Sequence, residues 1–580
     1  MISPTKKTTT ALLIAVAALA IAAYFSSFTN GFTHFDDQVQ ITENTDIIHL
    51  NWQKIKTIFS STYVGMYQPV STIFYALLVG FFGINPEVFH GFSFLLHLIN
   101  GWILFSIFKQ INVKESVAVL LTALFVLHPM QVESVSWASA TSNVIFTFFY
   151  LLAFWNFIQY GRNKPFSTGT FVLFVIACLS KATAVSFPVV IFFYLLIWEK
   201  ENWLKSIKTV SPYLLISLVI GIITIISRES AEHLTDLSLS YTALERVLIF
   251  CYTLIFYPIQ FILPLNLSPF YSFPSKINDS FPIIYYIAPV FVLLFSALIY
   301  RFRKNQFVLF GAAFYLITIA PILQLIPVGS QIVTDRYIYL SGIGLLLILI
   351  PILSAIKSQK AIQIGTLLIA MGLAFYTYNR TQVWESDATI WADVIEKDEN
   401  VAQAWNNKGI LAESVGNFAD AERFYSRAIQ LNPRYADPYS NRGNVYAKQG
   451  KSQDALNDFN QAIALKPNHA DALFNRANEF IKVGDYNTAL EDLNASLAIQ
   501  PKADALTNRA LIYIQTRKME LAITDLNQAI AMNPRKAQAY YLRGISKYQT
   551  IDSRAGCDDF QIAANLGDEA SKQALEQYCR

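Results

Sequence analysis

Adjacent carboxylates are the first chemistry the chain offers. Asp36 and Asp37 follow closely on an apolar run at residues 11 to 28. Neighbouring carboxylates repel, which raises the pKa of at least one unless a cation stands close, and a carboxylate so tuned can act as a general base. An Asx turn or a helix cap is the plainer reading of the same pair. A second cluster runs from His128 through Pro129 and Glu133 to Trp137. The proline stops the helix before it, and a histidine and a glutamate at this depth need partners or a wet cavity. Capping of two helix ends competes with that reading. The third cluster spans residues 327 to 340 and holds Asp335 and Arg336 beside Tyr337 and Tyr339. An arginine fork suits a phosphate and interfacial tyrosines suit a headgroup boundary, while a snorkelling arginine in an aromatic belt explains the same residues. Lys181 and Thr183 interrupt a further pair of apolar runs. Acid, base and phosphate-binding candidates expected on one membrane face are the set that transfer from a membrane-borne phosphate ester requires.

The elements that must position these residues are read from composition. Of 580 residues, 54% are apolar or aromatic and 15% are charged, too apolar for a water-soluble fold of this size. Residues 381 to 580 hold 22 basic and 26 acidic residues, which leaves 22 and 15 for residues 1 to 380. A membrane body and a soluble tail follow. Candidate spans lie near 11–28, 88–108, 116–130, 141–160, 167–180, 186–198, 209–226, 283–300, 306–325, 338–356 and 360–377, about eleven in all. Two proline-bearing stretches, 68–82 and 246–264, are expected to lie at or dip into the outer interface. On that path the short basic loops (Lys109 and Lys114; Arg162 and Lys164; Lys200, Lys205 and Lys208; Arg301, Arg303 and Lys304; Lys357 and Lys360) all fall on one side. The expectation is a multi-pass inner membrane protein with a cytoplasmic amino terminus and an extracytoplasmic, periplasmic tail. Cys178, Cys251, Cys557 and Cys579 show no metal-ligand spacing, so neither a zinc site nor a disulfide framework is expected. The basic residues are too dispersed for a nucleic-acid groove, and no nucleic-acid partner is expected.

Past residue 378 a period emerges. Pro433, Pro467, Pro501 and Pro534 recur at 34, 34 and 33 residues, each after a helix-like segment. With Gly443 as position 8, Ala455, Phe459, Ala462 and Pro467 fall at positions 20, 24, 27 and 32, the pattern of tetratricopeptide repeats. The expected organisation is an all-α chain: a membrane body over 1–378 with its first outer loop at 29–67, a connection at 379–399, and about five repeats plus a terminal helix over 400–580. The recurrent Asn441–Arg442, Asn475–Arg476 and Asn508–Arg509 read as repeat framework in preference to a ligand-reading row. The stacked surface suits a protein or peptide partner.

Taken in order, FDD at 35–37, Asn44 with Ile47, Tyr67-Gln-Pro-Val, His97-Leu-Ile-Asn100, His128-Pro-Met-Gln-Val-Glu133, Ser180-Lys-Ala, Asp335-Arg336-Tyr and Asn379-Arg380-Thr-Gln-Val-Trp384 resemble the transmembrane and tetratricopeptide-repeat-containing protein O-mannosyltransferases and their bacterial relatives. The resemblance runs over nearly the whole chain. It implies a GT-C-like helical body and inverting transfer of a sugar, mannose or another hexose, from a polyprenyl-phosphate sugar to a hydroxyl acceptor. It also implies an acidic catalytic role for Asp36 and Asp37, donor or phosphate contacts from Glu133 and Arg336, and support from Tyr67, His128 and Asp335. Two departures stand out: Tyr67-Gln-Pro-Val replaces the usual Tyr-Arg-Pro-Leu, and no basic residue follows Glu133 in Trp137-Ala-Ser-Ala-Thr-Ser-Asn. Other cations, Lys181 or Arg336, must then serve the phosphate. A divalent metal on Asp36 and Asp37 stays open, with no ligand cage legible and membrane lipid as the surrounding partner. A transporter or flippase, or a scaffold with a docking tail, is the competing class.

Overall fold

The computed structural model describes residues 4–161, 167–229, 241–274, 280–323, 331–550 and 553–579. The chain divides into two compact units, Met1–Lys397 and Asp398–Arg580, and both are helical.

The first unit is a polytopic bundle. Among the described residues eight helices are long and apolar enough to cross a bilayer: Lys7–Thr29, Pro86–Gln110, Thr141–Tyr160, Trp203–Ser227, Ala243–Ile262, Ile283–Arg301, Asp335–Ser354 and Gln359–Gln382. A ninth is a pair, Glu115–Val126 and Pro129–Ser136, bent by 49°. Pro129 accounts for the break because it cannot donate into the preceding turn. The expected runs at 167–180, 186–198 and 306–325 form the shorter helices Thr168–Ser180, Ala182–Ile197 and Gln306–Ile322, so the expected eleven spans become eight or nine by length. Pro69–Phe82, expected at the interface, is also short.

Ala243–Ile262 departs from expectation in length, since it alone among the interfacial stretches could cross. Its ends nevertheless meet the same end of the bundle. Tyr241, just before it, packs on Phe273 and Phe281, and near its carboxyl end Phe261 stacks on His128 while the Tyr257 hydroxyl reaches the Thr334 carbonyl at 3.3 Å. Both ends of the helix are thus tied to segments at that end of the bundle. Thr242 and Glu245 start it with a reciprocal capping box.

The other end gathers the basic loops. Lys114 Nζ donates to the Ser354 carbonyl at 2.9 Å, and Ile111, Trp198 and Phe310 line one apolar recess. Arg162 and Lys164 lie outside the described residues. Deeper in the bundle Gln306–Ile319 and Ile338–Ser354 touch backbone to backbone. A Cβ on Gly311 would stand 2.6 Å from the Gly344 carbonyl oxygen, and one on Gly344 would stand 2.5 Å from the Tyr315 nitrogen. Small residues allow this approach where lipid supplies no hydrophobic drive between helices.

The second unit is a tetratricopeptide solenoid of five helix pairs, from Ala402–Ser414 with Phe418–Leu431 to Ala537–Thr550 with Ser553–Asn565, closed by Glu569–Tyr578. Position 8 and position 24 are matched in size. Where glycine stands (Gly409, Gly443, Gly544) the partner is Tyr425, Phe459 or Phe560, and an added Cβ would lie 2.5 to 2.8 Å from the ring. Where alanine stands (Ala477, Ala510) the cores hold Leu493 and Leu526. The arginines of the recurrent Asn-Arg pairs are framework through a specific partner: Arg442, Arg476 and Arg509, and likewise Arg543, each grip Asp458, Asp492, Asp525 or Asp559 with two donors at 2.7 to 2.9 Å. One cysteine expectation is corrected. Cys557 and Cys579 form a disulfide with Cα atoms 5.7 Å apart, which pins the terminal helix to the last pair. Their separation matched no framework, and only the fold of Glu569–Tyr578 back onto its neighbour brings them together.

Candidate functional site

The loop after the first helix is shaped by local bonds. The Asn44 side chain caps the turn at Thr45–Ile47, Asp46 accepts from the Tyr63 hydroxyl at 2.8 Å, and Asn51 caps Trp52–Ser60. The two aspartates inside this frame face different surroundings. Asp37 is buried, and its Oδ2 accepts from the Thr33 backbone N–H at 2.8 Å and the Thr33 hydroxyl at 3.1 Å. Its Oδ1 accepts from the Ser139 backbone N–H at 2.8 Å and from the Ser139 hydroxyl. Burial pushes its carboxyl up to about 6, against the pull of the Ser139 and Thr33 bonds. Asp37 thus ties the loop to the segment after Trp137.

Asp36 makes no side-chain hydrogen bond or ion pair among the described residues. Burial raises its carboxyl above the usual range, and the charges that pull it back are Arg336 first and Lys181 second. Lys181 Nζ donates to Asn143 Oδ1 at 2.6 Å. Arg336 is fixed by Glu133, which takes the Arg336 backbone N–H at 2.7 Å on Oε2 and its Nη1 on Oε1. The guanidinium lies 5.1 Å over Trp137 and 5.3 Å from Tyr337. Asp36, Lys181, Glu133 and Arg336 are thereby brought into one neighbourhood.

Asp335 faces away into a buried network. It accepts from the Tyr271 hydroxyl at 2.8 Å and stands 4.0 Å from Arg380, which pairs with Asp393 at 2.9 Å. Lys397 joins Asp393 and donates to the Leu267 carbonyl. His128 is a joint: Nε2 donates to the Phe261 carbonyl at 3.0 Å, and Nδ1 accepts from the Met130 N–H at 3.3 Å. Tyr67 is not in the cluster, because its hydroxyl donates to the Phe59 carbonyl at 3.1 Å. Residues 327–330 of the third cluster lie outside the described residues.

Sequence reasoning missed the contribution of the segment after the last long helix. The stretch at 379–397, expected as a connection, belongs to the first unit. Asp387 accepts the His34 backbone N–H at 2.8 Å and meets His34 Nδ1, and the Gly31 N–H donates to the Glu385 carbonyl at 3.3 Å. Trp391 stacks on Phe35 at 5.0 Å, Phe35 abuts Trp137 at 5.5 Å, and Trp137 stacks on Trp384 at 5.5 Å. The indole N–H groups of Trp137 and Trp384 are buried without a partner among the described residues. The amphipathic spacing of Ile390, Trp391 and Val394, all buried, was the available signal.

As a metal centre the set fits poorly. All four bonds on Asp37 come from protein donors, so the aspartate pair presents one open carboxylate, and no group of three or more His, Cys, Asp or Glu side chains among the described residues is placed to hold an ion. A desolvated carboxylate without hydrogen bonds beside two held cations can instead accept a proton while an anionic group sits against Lys181 and Arg336.

The fold defines a class: a polytopic helical membrane body followed by a tetratricopeptide solenoid. A profile described as dolichyl-phosphate-mannose-protein mannosyltransferase matches residues 68–226, and tetratricopeptide repeat profiles match 402–435, 436–469, 459–491 and 503–536. The chain is 22% identical over 457 residues to a protein O-mannosyl-transferase of Caenorhabditis elegans, covering 73% of this chain and 63% of that protein. It is 21% identical over 477 residues to the protein O-mannosyl-transferase TMTC3 of Homo sapiens, covering 72% and 51%. The chain therefore spans between half and two thirds of the length of these relatives. The solved tetratricopeptide protein YrrB is 18% identical with a TM-score of 0.28, covering 32% of this chain and 97% of that one. The chain is a tetratricopeptide-repeat-containing protein distantly related to the protein O-mannosyl-transferases.

Proposed function

We propose that the membrane body transfers a sugar, mannose or another hexose, from a polyprenyl-phosphate donor to a hydroxyl acceptor, and that the repeats hold the acceptor or a partner protein. The observation that carries this reading is Asp36, a desolvated carboxylate with no side-chain hydrogen bond among the described residues and two cations at its flank. In the transfer, the Asp36 carboxylate takes the proton of the acceptor hydroxyl as that oxygen bonds to sugar C1. The bond from C1 to the phosphate oxygen breaks, and its electron pair leaves with the polyprenyl phosphate. Arg336 and Lys181 balance the charge that grows on the phosphate. Glu133 and Trp137 hold the guanidinium in place, and Asp37 holds the loop that presents Asp36. The indole N–H of Trp137, which packs under Arg336 and is without a partner among the described residues, adds a donor for a phosphate or sugar oxygen.

The proposed topology is eleven crossings, with the amino terminus cytoplasmic and both the Asp36 site and the repeats extracytoplasmic. It is supported by the basic residues gathered at the opposite end and by the contacts that tie both ends of Ala243–Ile262 to the site end. The Cys557–Cys579 bond suits an oxidising compartment. The test supplies purified full-length protein with a panel of radiolabelled polyprenyl-phosphate hexoses and cell-envelope extract. Hydroxyl-linked label with release of polyprenyl phosphate is expected. Absence of both transfer and donor hydrolysis with every hexose would overturn the proposal.

A further inference from the structure

At the end of the bundle away from Asp36, a concentration of charge serves none of the interactions described above. Between the carboxyl end of Phe187–Ile197 and the turn joining Ile283–Arg301 to Gln306–Ile319 lies an open recess of about 590 Å³. Lys200, Arg303 and Lys304 line it, and no acidic residue does. None of these three cations pairs with a carboxylate among the described residues. The neighbouring acids are engaged elsewhere: Glu199 accepts from the Tyr194 hydroxyl at 3.1 Å, and Glu201 pairs with Lys205 at 2.5 Å. The Arg303 guanidinium lies 3.8 Å over the Tyr300 ring, which fixes its plane while leaving its edge donors open. The rest of the wall is mixed, with the amides Asn305 and Gln306 beside the apolar Leu196, Ile197, Phe307 and Leu309. Trp198 stacks on Tyr194 at 6.0 Å and meets Phe307 edge-on at 5.0 Å, an aromatic layer of the kind found where headgroups begin.

We propose that this recess binds the phosphate headgroup of an anionic phospholipid in the leaflet opposite the Asp36 site. Three cations without an ion-pair partner among the described residues, set around a concave surface, match the acceptor oxygens of a phosphodiester. The apolar part of the wall, which includes the exposed Leu309, and the exposed Leu298 on the adjoining helix give acyl chains a surface that a free anion cannot use. An open recess without buried donors leaves a soluble phosphate in competition with water and salt, which is why the lipid is the assigned source. The inference does not depend on sugar transfer.

The test reconstitutes the full chain in bilayers of equal phosphatidylglycerol and phosphatidylcholine, extracts it gently, and counts retained lipid by native mass spectrometry. Preferential retention of phosphatidylglycerol is expected. Combined Lys200→Gln, Arg303→Gln and Lys304→Gln should lower that preference by roughly tenfold or more. Lys208→Gln, in the same segment but outside the recess, should leave it intact. Because neutralising three charges can disturb insertion, the single Arg303→Gln variant is read as well and should show a partial loss. Equal retention of the two lipids, or a preference unchanged in both recess variants, would overturn the proposal. So would displacement of the lipid by excess inorganic phosphate, which would mark a free-anion site.

Discussion

Replacing Asp36 with Asn separates chemistry from architecture at one atom. The Asp36 carboxylate makes no hydrogen bond among the described residues, so an amide of equal size orphans no described donor. Its folded pKa lies above its ordinary value because burial outweighs the pull of Arg336 and Lys181. Ionisation of Asp36 therefore costs the fold: the cost is absent below the unfolded pKa, grows as pH rises, and is complete above the folded pKa. Asn removes it, so the variant should melt at or slightly above the parent near neutral pH. Turnover should fall by roughly 10² to 10⁴, the usual contribution of a positioned base and equivalent to about 3 to 5 kcal/mol in the barrier. The assays are transfer from the best polyprenyl-phosphate hexose and thermal unfolding in detergent. Activity within tenfold of the parent would remove Asp36 from the chemistry. Lost activity together with melting lowered by several degrees would reduce it to an architectural residue.

Lys181→Gln takes away a cation that lowers the Asp36 pKa, so the acidic limb of the activity profile should move to higher pH; a limb that stays put refutes the electrostatic contact. Reduction and alkylation of Cys557 and Cys579 should release the terminal helix. By the chain-entropy relation a closed loop of 22 residues corresponds to about 3 kcal/mol, to be read as faster hydrogen exchange in Glu569–Tyr578. Free thiols in protein isolated under alkylating conditions would contradict both the bond and the compartment argued from it.

The repeats were legible because a 34-residue period writes the same solution several times, and one register explains Gly443 and Phe459 together. The convergence of Asp36, Lys181, Glu133 and Arg336 was legible from the side of the membrane each was expected to reach. The division of labour between Asp36 and Asp37 was not, because adjacency carries no information about Thr33 and Ser139, and Ser139 lies 102 residues away from its partner. Tyr67 looked like a site residue through its neighbours in sequence, while its hydroxyl is spent on Phe59. Asp387 and Trp391 looked like a linker because one amphipathic turn after a long apolar helix has no partner until the loop at 31–37 folds against it. Ala243–Ile262 was expected at the interface because of Pro258, but the proline sits inside one continuous helix that is long and apolar enough to cross.

The touching glycines in the bundle leave that joint with no adjustable part. A side chain can rotate away from a crowded neighbour, but at Gly311 and Gly344 the crowding atoms are a carbonyl oxygen and a backbone nitrogen. Any larger residue there must be met by moving a whole helix. Gly344 is eight residues from Arg336, about 12 Å along the axis, and the helix beginning at Ile338 grows directly out of the turn Asp335–Tyr337. A substitution at this joint is therefore expected to move the turn that carries Arg336, although it touches neither the guanidinium nor the Glu133 carboxylate that holds it.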